Sequence, residues 1–238
     1  GDMQPQDLPL ESFFELHIEQ GPMLEAEGMQ VGVVTAVQGL RWLDVSVTGT
    51  DAHAGTTPLD ARSDALLAAA GMLVAINDAG RQEGPEARVS VGRLVPATNG
   101  PSTIVGAVDF VIDMRHPENA VLDRLESRCA MLCREAAKRY GCEANVSRRL
   151  AVPPRAFDTE CIAAVQTAAD DLGFRNQRMS SGALHDASNI ASVVPTSMIF
   201  VPCRDGSSHN VNEYAAPEDL AAGCEVLLHA MLSRAGRA

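Results

Sequence analysis

The chain has 238 residues, and 31 acidic against 19 basic side chains give it a formal net charge of −12. That balance argues against nucleic acid or an anionic membrane as the main partner and for a small molecule or a protein. No run approaches the roughly eighteen apolar residues that span a bilayer, and the opening residues lack the basic, apolar, small-residue order of a signal peptide, so a soluble, cytoplasmic protein is expected.

Phe14, Leu16 and Ile18 alternate with Glu15, His17 and Glu19 before Gly21-Pro22 ends the run. This predicts a strand with one face in a core, and on pattern alone solvent explains the other face more readily than chemistry does. Met23 to Gly28 predicts a short helix, Val31 to Val37 a strand, and Gln38-Gly39-Leu40 a turn and domain boundary. A self-contained pattern follows. Leu43, Val45 and Val47 alternate in a strand, and a helix is expected to open at Pro58 and run through Leu66 and Ile76 to about Asp78, with Gly80 beyond its end. Strands are expected at Val89 to Val95 and at Ile104 to Met114. From Pro117 a second helix carries Val121, Leu122, Leu125, Cys129, Leu132, Cys133 and Ala136 on one face and closes at Gly141, and Cys142 to Leu150 supplies a fourth strand. Strand, helix, strand, strand, helix, strand is the order of a ferredoxin-like sandwich.

Beyond Val152, Asp158 caps a helix to Leu172-Gly173, and His185 to Ala191 reads as another. Thr196 to Val201 has the continuous apolar character of a fully buried strand in a parallel or mixed sheet, and Pro217 begins a last helix that ends with Arg234. The domains expected are therefore one α/β body, from residues 1–38 and 152–238, interrupted by a sandwich over 39–151. Six cysteines without short regular spacings do not make a disulfide framework. Cys129 and Cys133 lie one turn apart on an apolar helix face and read as core rather than metal ligands.

Three further stretches hold chemistry-bearing residues. Gly49 to Pro58 is a loop with His53 among small residues; spacing alone makes that histidine a bystander. Arg115 follows Asp113 at a strand end, by itself a surface ion pair worth less than about 1 kcal/mol. Phe200 to Asn210 runs from a buried strand into a polar loop with His209, and ligands in α/β folds gather beyond the carboxyl ends of strands. No Gly-x-Ser-x-Gly elbow or phosphate-binding glycine loop occurs, which leaves serine-hydrolase and nucleotidyl chemistry little support.

In chain order, Glu15-Leu16-His17-Ile18-Glu19-Gln20-Gly21-Pro22, His53-Ala54-Gly55-Thr56-Thr57-Pro58, Ile112-Asp113-Met114-Arg115-His116-Pro117 and Ser208-His209-Asn210 with Glu213-Tyr214 resemble the hydantoinase/carbamoylase family of amidases, within the clan of two-metal aminoacylases and exopeptidases. The resemblance implies part of an α/β catalytic domain of the two-metal aminopeptidase type, with an inserted ferredoxin-like βαββαβ lid through which two copies dimerise. It implies His17 and His209 as ligands to two divalent metal ions, zinc or manganese. It also implies Gln20, Asn99 and Arg115 as contacts to a small carboxylate substrate, and His53, from the partner subunit's lid, as the catalytic residue at the reacting carbonyl. The activity implied is hydrolysis of the ureido carbon–nitrogen bond of an N-carbamoyl-L-amino acid, allantoate or a related carboxylate. Alternatives are an N-acyl-amino acid or dipeptide hydrolase of the same clan, and a non-catalytic dimerisation or regulatory module with a degenerate site.

Two departures stand out. Ser102 occupies the place of the family's substrate-contacting asparagine, with Asn99 nearby, and Leu184 stands where glycine is usual in Ser181 to Ala187, whose His185 and Asp186 read as supporting or structural. His116 and His229 carry no comparable signal. The family's remaining metal ligands and its general-base glutamate lie upstream of the first motif, and the twelve residues before Phe13 hold no histidine. The chain, opening Gly1-Asp2-Met3, is accordingly expected to be the later part of a longer protein and inactive alone.

Overall fold

The computed structural model describes residues 10–236; the opening Gly1-Asp2-Met3 lies outside them. In chain order the elements are β1 (Phe13–Ile18), α1 (Met23–Ala26), β2 (Val31–Val37), β3 (Gly39–Thr48), β4 (Ala52–His53), α2 (Ala65–Gln82), β5 (Arg88–Pro96), β6 (Thr103–Ile104) and β7 (Ala107–His116). They continue with α3 (Asn119–Arg139), β8 (Glu143–Val152), β9 (Arg155–Ala156), α4 (Thr159–Asp171), β10 (Asn176–Ser181), α5 (Asp186–Ile190), β11 (Thr196–Val201) and α6 (Pro217–Arg234). The chain divides into two compact units, Gly1–Gln38 with Arg155–Ala238, and Gly39–Pro154.

The first unit is a mixed α/β body. Its sheet runs β1-β11-β2-β10, with β9 added to β2. β1 lies parallel to β11, in register from Phe13 opposite Thr196 to Ile18 opposite Val201, while β2 is antiparallel to β11 and parallel to β10. All six residues of β11 are buried, as expected for a strand covered on both faces. Met198, Ile199 and Phe200 share a core with Val33 and Val34 of β2, Val165 of α4 and Val226 of α6. Each large side chain buried there contributes about 1.5–3 kcal/mol. Because β1 and β11 run in the same direction, their carboxyl ends deliver the following loops, from Glu19 and from Pro202, to one end of the sheet.

The second unit is a four-stranded antiparallel sheet, β5-β7-β3-β8, built in the order β3, α2, β5, β7, α3, β8, which is the ferredoxin-like arrangement. Alternation sends Leu43, Val45, Val47, Val108, Phe110, Ile112 and Met114 into a core with Met72 and Ile76 of α2 and Leu122 and Leu125 of α3. Cys129 and Cys133 are in that core, and burial pushes their thiols up to about 11 and about 12; all six cysteines are free. Among the described residues no helix is long and apolar enough to cross a membrane.

Several local expectations are corrected. The helix does not open at Pro58: a single 3-10 turn over Leu59–Ala61 gives way to extended Arg62, and α2 starts after Asp64, whose carboxylate accepts the Leu66 and Leu67 amides. Asp64, a better cap than any residue near Pro58, fixes the start. Gly80 lies inside the helix, because a Cβ there would come within 2.7 Å of Val89 Cγ2. Gly39 opens β3 rather than turning the chain; a Cβ there would meet Leu122 Cδ1 at 2.6 Å and Pro154 Cδ at 2.7 Å. The expected strand from Ile104 to Met114 is two, since β6 pairs with β4 and only β7 joins the large sheet. β10, Asn-Gln-Arg-Met-Ser-Ser, is a strand that apolar patterning does not reveal.

Candidate functional site

On β1 the polar side chains do different work. The Glu15 carboxylate accepts the Ala187 amide at 2.6 Å, at the start of α5. Buried Glu19 accepts the Met23 and Leu24 amides at 2.9 and 2.8 Å. Both are helix-start anchors. His17, half-buried near the end of the strand, has Nδ1 2.8 Å from the Ile18 carbonyl oxygen. An acceptor there requires the ring proton on Nδ1, leaving the Nε2 lone pair as a donor atom for a cation.

Behind His17 lies His185, at the N-cap of α5. The two rings meet edge-on at 4.7 Å, and the Phe200 ring lies 5.5 Å from that of His185, tilted by 60°. His185 Nε2 is 2.7 Å from the Ser181 hydroxyl. Burial, then the neighbouring His17, holds this imidazole down at about 4, against about 6.5 for an unfolded histidine. Since the folded value is the lower one, the unfolded chain takes up the extra proton first, so this contribution to stability is complete above about pH 6.5 and is lost as pH falls toward about 4. The loss is a few kcal/mol at most, at about 1.4 kcal/mol per pH unit. His185→Gln is expected to flatten this part of the acid limb, read as the urea midpoint across that range.

The loop after β11 supplies the opposite wall. Gln20 Nε2 donates to Ser208 Oγ at 3.1 Å, Ser208 Oγ donates to Glu213 Oε2 at 2.7 Å, and the His209 amide donates to the same oxygen at 3.1 Å. The Ser208 hydroxyl, then the His209 amide, hold the exposed Glu213 carboxylate below its ordinary range, and His209 and His17 both act on it. Thus His17, Gln20 and His209 belong to one neighbourhood at the carboxyl ends of β1 and β11. Glu213 and Ser208 join it without a role expected from sequence; their place in the Ser208-His209-Asn210 and Glu213-Tyr214 motif was the available signal. Imidazole donors suit zinc and manganese-type cations, but among the described residues no three His, Cys, Asp or Glu side chains converge on a metal position. The His17 and His209 imidazoles are donors of a type such a cation takes.

In the second unit, exposed His53 sits on β4 opposite Thr103 of β6, and the Ala54 amide donates to the Ser102 carbonyl at 2.8 Å. Asp51 ties the ribbon together, accepting the Gly106 amide at 2.9 Å and the Thr98 hydroxyl at 3.3 Å. Exposed Asn99 lies in the segment between Thr98, bonded to Asp51, and Gly100, whose carbonyl accepts the Thr103 amide. His53 Nδ1 accepts the Gly55 amide at 3.1 Å, so the neutral ring carries its proton on Nε2, the reverse of His17. Arg115 stands elsewhere. Its Nε and terminal nitrogen fork onto both Asp113 oxygens at 2.9 Å, Trp42 Nε1 donates to Asp113 at 2.8 Å, and the carboxylate raises the already high arginine pKa. Arg115 pairs with Leu40 and Ala107 with Thr48. The eight-residue separation is roughly 26 Å of strand, and the His53 ribbon joins at the Ala107 end.

A mixed α/β body with histidine-bearing loops beyond its strands, and a ferredoxin-like unit in mid-sequence, is the fold of amidases and aminopeptidases with known structures. A hydantoinase/carbamoylase family amidase from Burkholderia multivorans superimposes with a TM-score of 0.90 at 46% identity, over 95% of this chain and 55% of that one. The chain belongs to peptidase family M20/M25/M40, whose sequence profile matches residues 2–233. Relatives include an N-carbamoyl-L-amino-acid amidohydrolase of Rhizobium meliloti, 39% identical over 99% of this chain and 56% of its own length. An allantoate amidohydrolase of Bacillus subtilis is 34% identical over 92% of this chain and 53% of its own. The chain thus spans about half the length of the relatives it matches.

Proposed function

We propose that this chain is part of a metal-dependent amidohydrolase that cleaves the ureido carbon–nitrogen bond of an N-carbamoyl-L-amino acid, allantoate or a related small carboxylate. Water is consumed, and an amine, ammonia and carbon dioxide leave. The observation that carries this reading is the likeness to N-carbamoyl-L-amino-acid and allantoate amidohydrolases over more than nine-tenths of the chain; the ring nitrogens of His17 and His53 are consistent with it, one placed to offer a lone pair and the other a proton. His17 and His209 would hold part of a centre of two divalent ions, zinc or manganese. When bound, such ions supply Lewis acidity and lower the pKa of a water toward about 7. His53 Nε2–H would donate to the oxyanion that develops at the carbonyl. Gln20 and Asn99 would orient the substrate, and Arg115, its plane fixed by Asp113, would take the carboxylate. By itself the 238-residue chain, which spans about half the length of the relatives it matches, is proposed to be inactive.

The separation of Arg115 from the His53 ribbon supports a second copy as part of the site, because one small substrate does not reach both ends of the sheet of one chain. Dimerisation through the ferredoxin-like unit is therefore part of this proposal. β5 is an open sheet edge, and beside it α2 exposes Leu67 by 51% and Val74 by 64%, an apolar stripe suited to a twofold contact. Val74→Asp is expected to shift the species seen by light scattering from dimer to monomer with little change in melting temperature.

The function is tested by assaying the full-length protein, with metal content measured after dialysis, on N-carbamoyl and N-acetyl forms of the same L-amino acid. About two metals per chain with preferred cleavage of the ureido compound is the expected result. Preference for the acetyl compound supports the acylase alternative, and no turnover with little metal the non-catalytic one.

A further inference from the structure

Gln20 and His209 share an unusual backbone state. Their φ angles are +59° and +60°, in the left-handed region that is uncommon for residues with a Cβ and least so for asparagine, aspartate and histidine, so Gln20 is the more unusual of the two; Asp205, at +58° in the loop of His209, shares the state. These same two positions carry the proposed substrate amide and the proposed metal imidazole, and one carboxylate oxygen connects them. Glu213 Oε2 accepts both the Ser208 hydroxyl, at 2.7 Å, and the His209 amide, at 3.1 Å, while Ser208 Oγ accepts from Gln20 Nε2 at 3.1 Å.

The directions in this relay are fixed by chemistry. A carboxylate only accepts, so the single hydroxyl proton of Ser208 goes to Glu213, and the Ser208 lone pairs must then take a donor. That donor is the NH₂ end of the Gln20 amide. The amide is thereby locked against a flip, with its carbonyl end left as the acceptor it can present elsewhere. A ureido group differs from an acyl group of similar size by an NH₂ donor, and a fixed carbonyl acceptor distinguishes the two.

We propose that Glu213, acting through Ser208, is the positioning residue that holds Gln20 and His209 in their left-handed conformations and sets the Gln20 amide to favour ureido over acyl substrates. The role in specificity rests on the function proposed above; the clamp itself does not. Glu213 is exposed and lies outside both cores, so its replacement leaves the fold in place.

The test compares Glu213→Ala with Glu213→Gln, whose side-chain oxygen can still accept both hydrogen bonds. In the 238-residue chain, nuclear magnetic resonance is expected to show His209 amide exchange at least tenfold faster and the Gln20 side-chain amide resonances displaced in Glu213→Ala, with both near wild type in Glu213→Gln. In the full-length protein the ratio of kcat/KM for N-carbamoyl over N-acetyl substrate is expected to fall at least tenfold in Glu213→Ala and to recover in Glu213→Gln. Unchanged exchange and resonances in Glu213→Ala overturn the clamp, as does a Glu213→Gln variant perturbed as strongly as the alanine one. A loosened clamp with an unchanged substrate ratio overturns the specificity role. If the wild-type protein cleaves neither substrate, the function proposed above fails, while the resonance measurements still decide the clamp.

Discussion

Replacing His17 by alanine in the full-length protein is expected to lower kcat/KM for an N-carbamoyl-L-amino acid by on the order of 10³-fold or more, with a fall in bound metal. The size follows from the several kcal/mol that a polarising cation contributes to such a reaction, at about 1.4 kcal/mol per decade. Structure should suffer little. His17 is half-buried near the end of an edge strand, its backbone register with Phe200 does not depend on the side chain, and among the described residues its ring meets one aromatic ring, that of His185. A melting-temperature change corresponding to about 1 kcal/mol is expected. Metal analysis, steady-state kinetics and a thermal melt on one preparation separate the cases. Full metal content with less than about a tenfold kinetic loss would remove His17 from the ligand set, and loss of metal together with a collapsed melt would make its role structural.

The parts of this site that were legible in the sequence are those that chain neighbours determine. Alternation along Phe13 to Ile18 marked β1, and continuous apolar character from Thr196 to Val201 marked β11, so the sheet ends carrying His17 and His209 could be located in advance. The proton positions could not. They depend on the Ile18 carbonyl and the Gly55 amide, backbone groups whose placement is a property of the folded loop. Glu15 and Glu19 show the same limit from the other side. Periodicity put them on the face of His17, whereas their carboxylates serve helix starts, one of them at Ala187, far along the chain. β10 has no legible pattern because five of its six residues are polar and its burial does not alternate with apolar character, so the strand is specified by its parallel partner β2. The start of α2 differs from the expected Pro58 because extended Arg62 breaks the turn after Pro58 and the Asp64 carboxylate then caps the Leu66 and Leu67 amides.

Phe200→Ala is expected to produce the largest loss of stability, about 3–5 kcal/mol, and to produce it in one unit. Phe200 is 1% exposed, lies beside His17 on one side of β11 and opposite Gly32 on the other, and backs His185 with its ring. Gly32 contributes no side chain there, and the neighbours of that space are Leu24 and Met179. That cost is a large share of the roughly 5–15 kcal/mol that holds a domain folded. The two cores have no residue in common, and Trp42, the one tryptophan of the sequence, is on β3 in the second unit. Its fluorescence therefore reports on the ferredoxin-like unit, while far-ultraviolet circular dichroism reports on both. In urea, Phe200→Ala should move part of the dichroism transition to lower concentration and leave the fluorescence midpoint in place. If both probes shift together, the units unfold as one cooperative block, and the loss of a ring behind His185 is felt as far as the strand that presents Arg115.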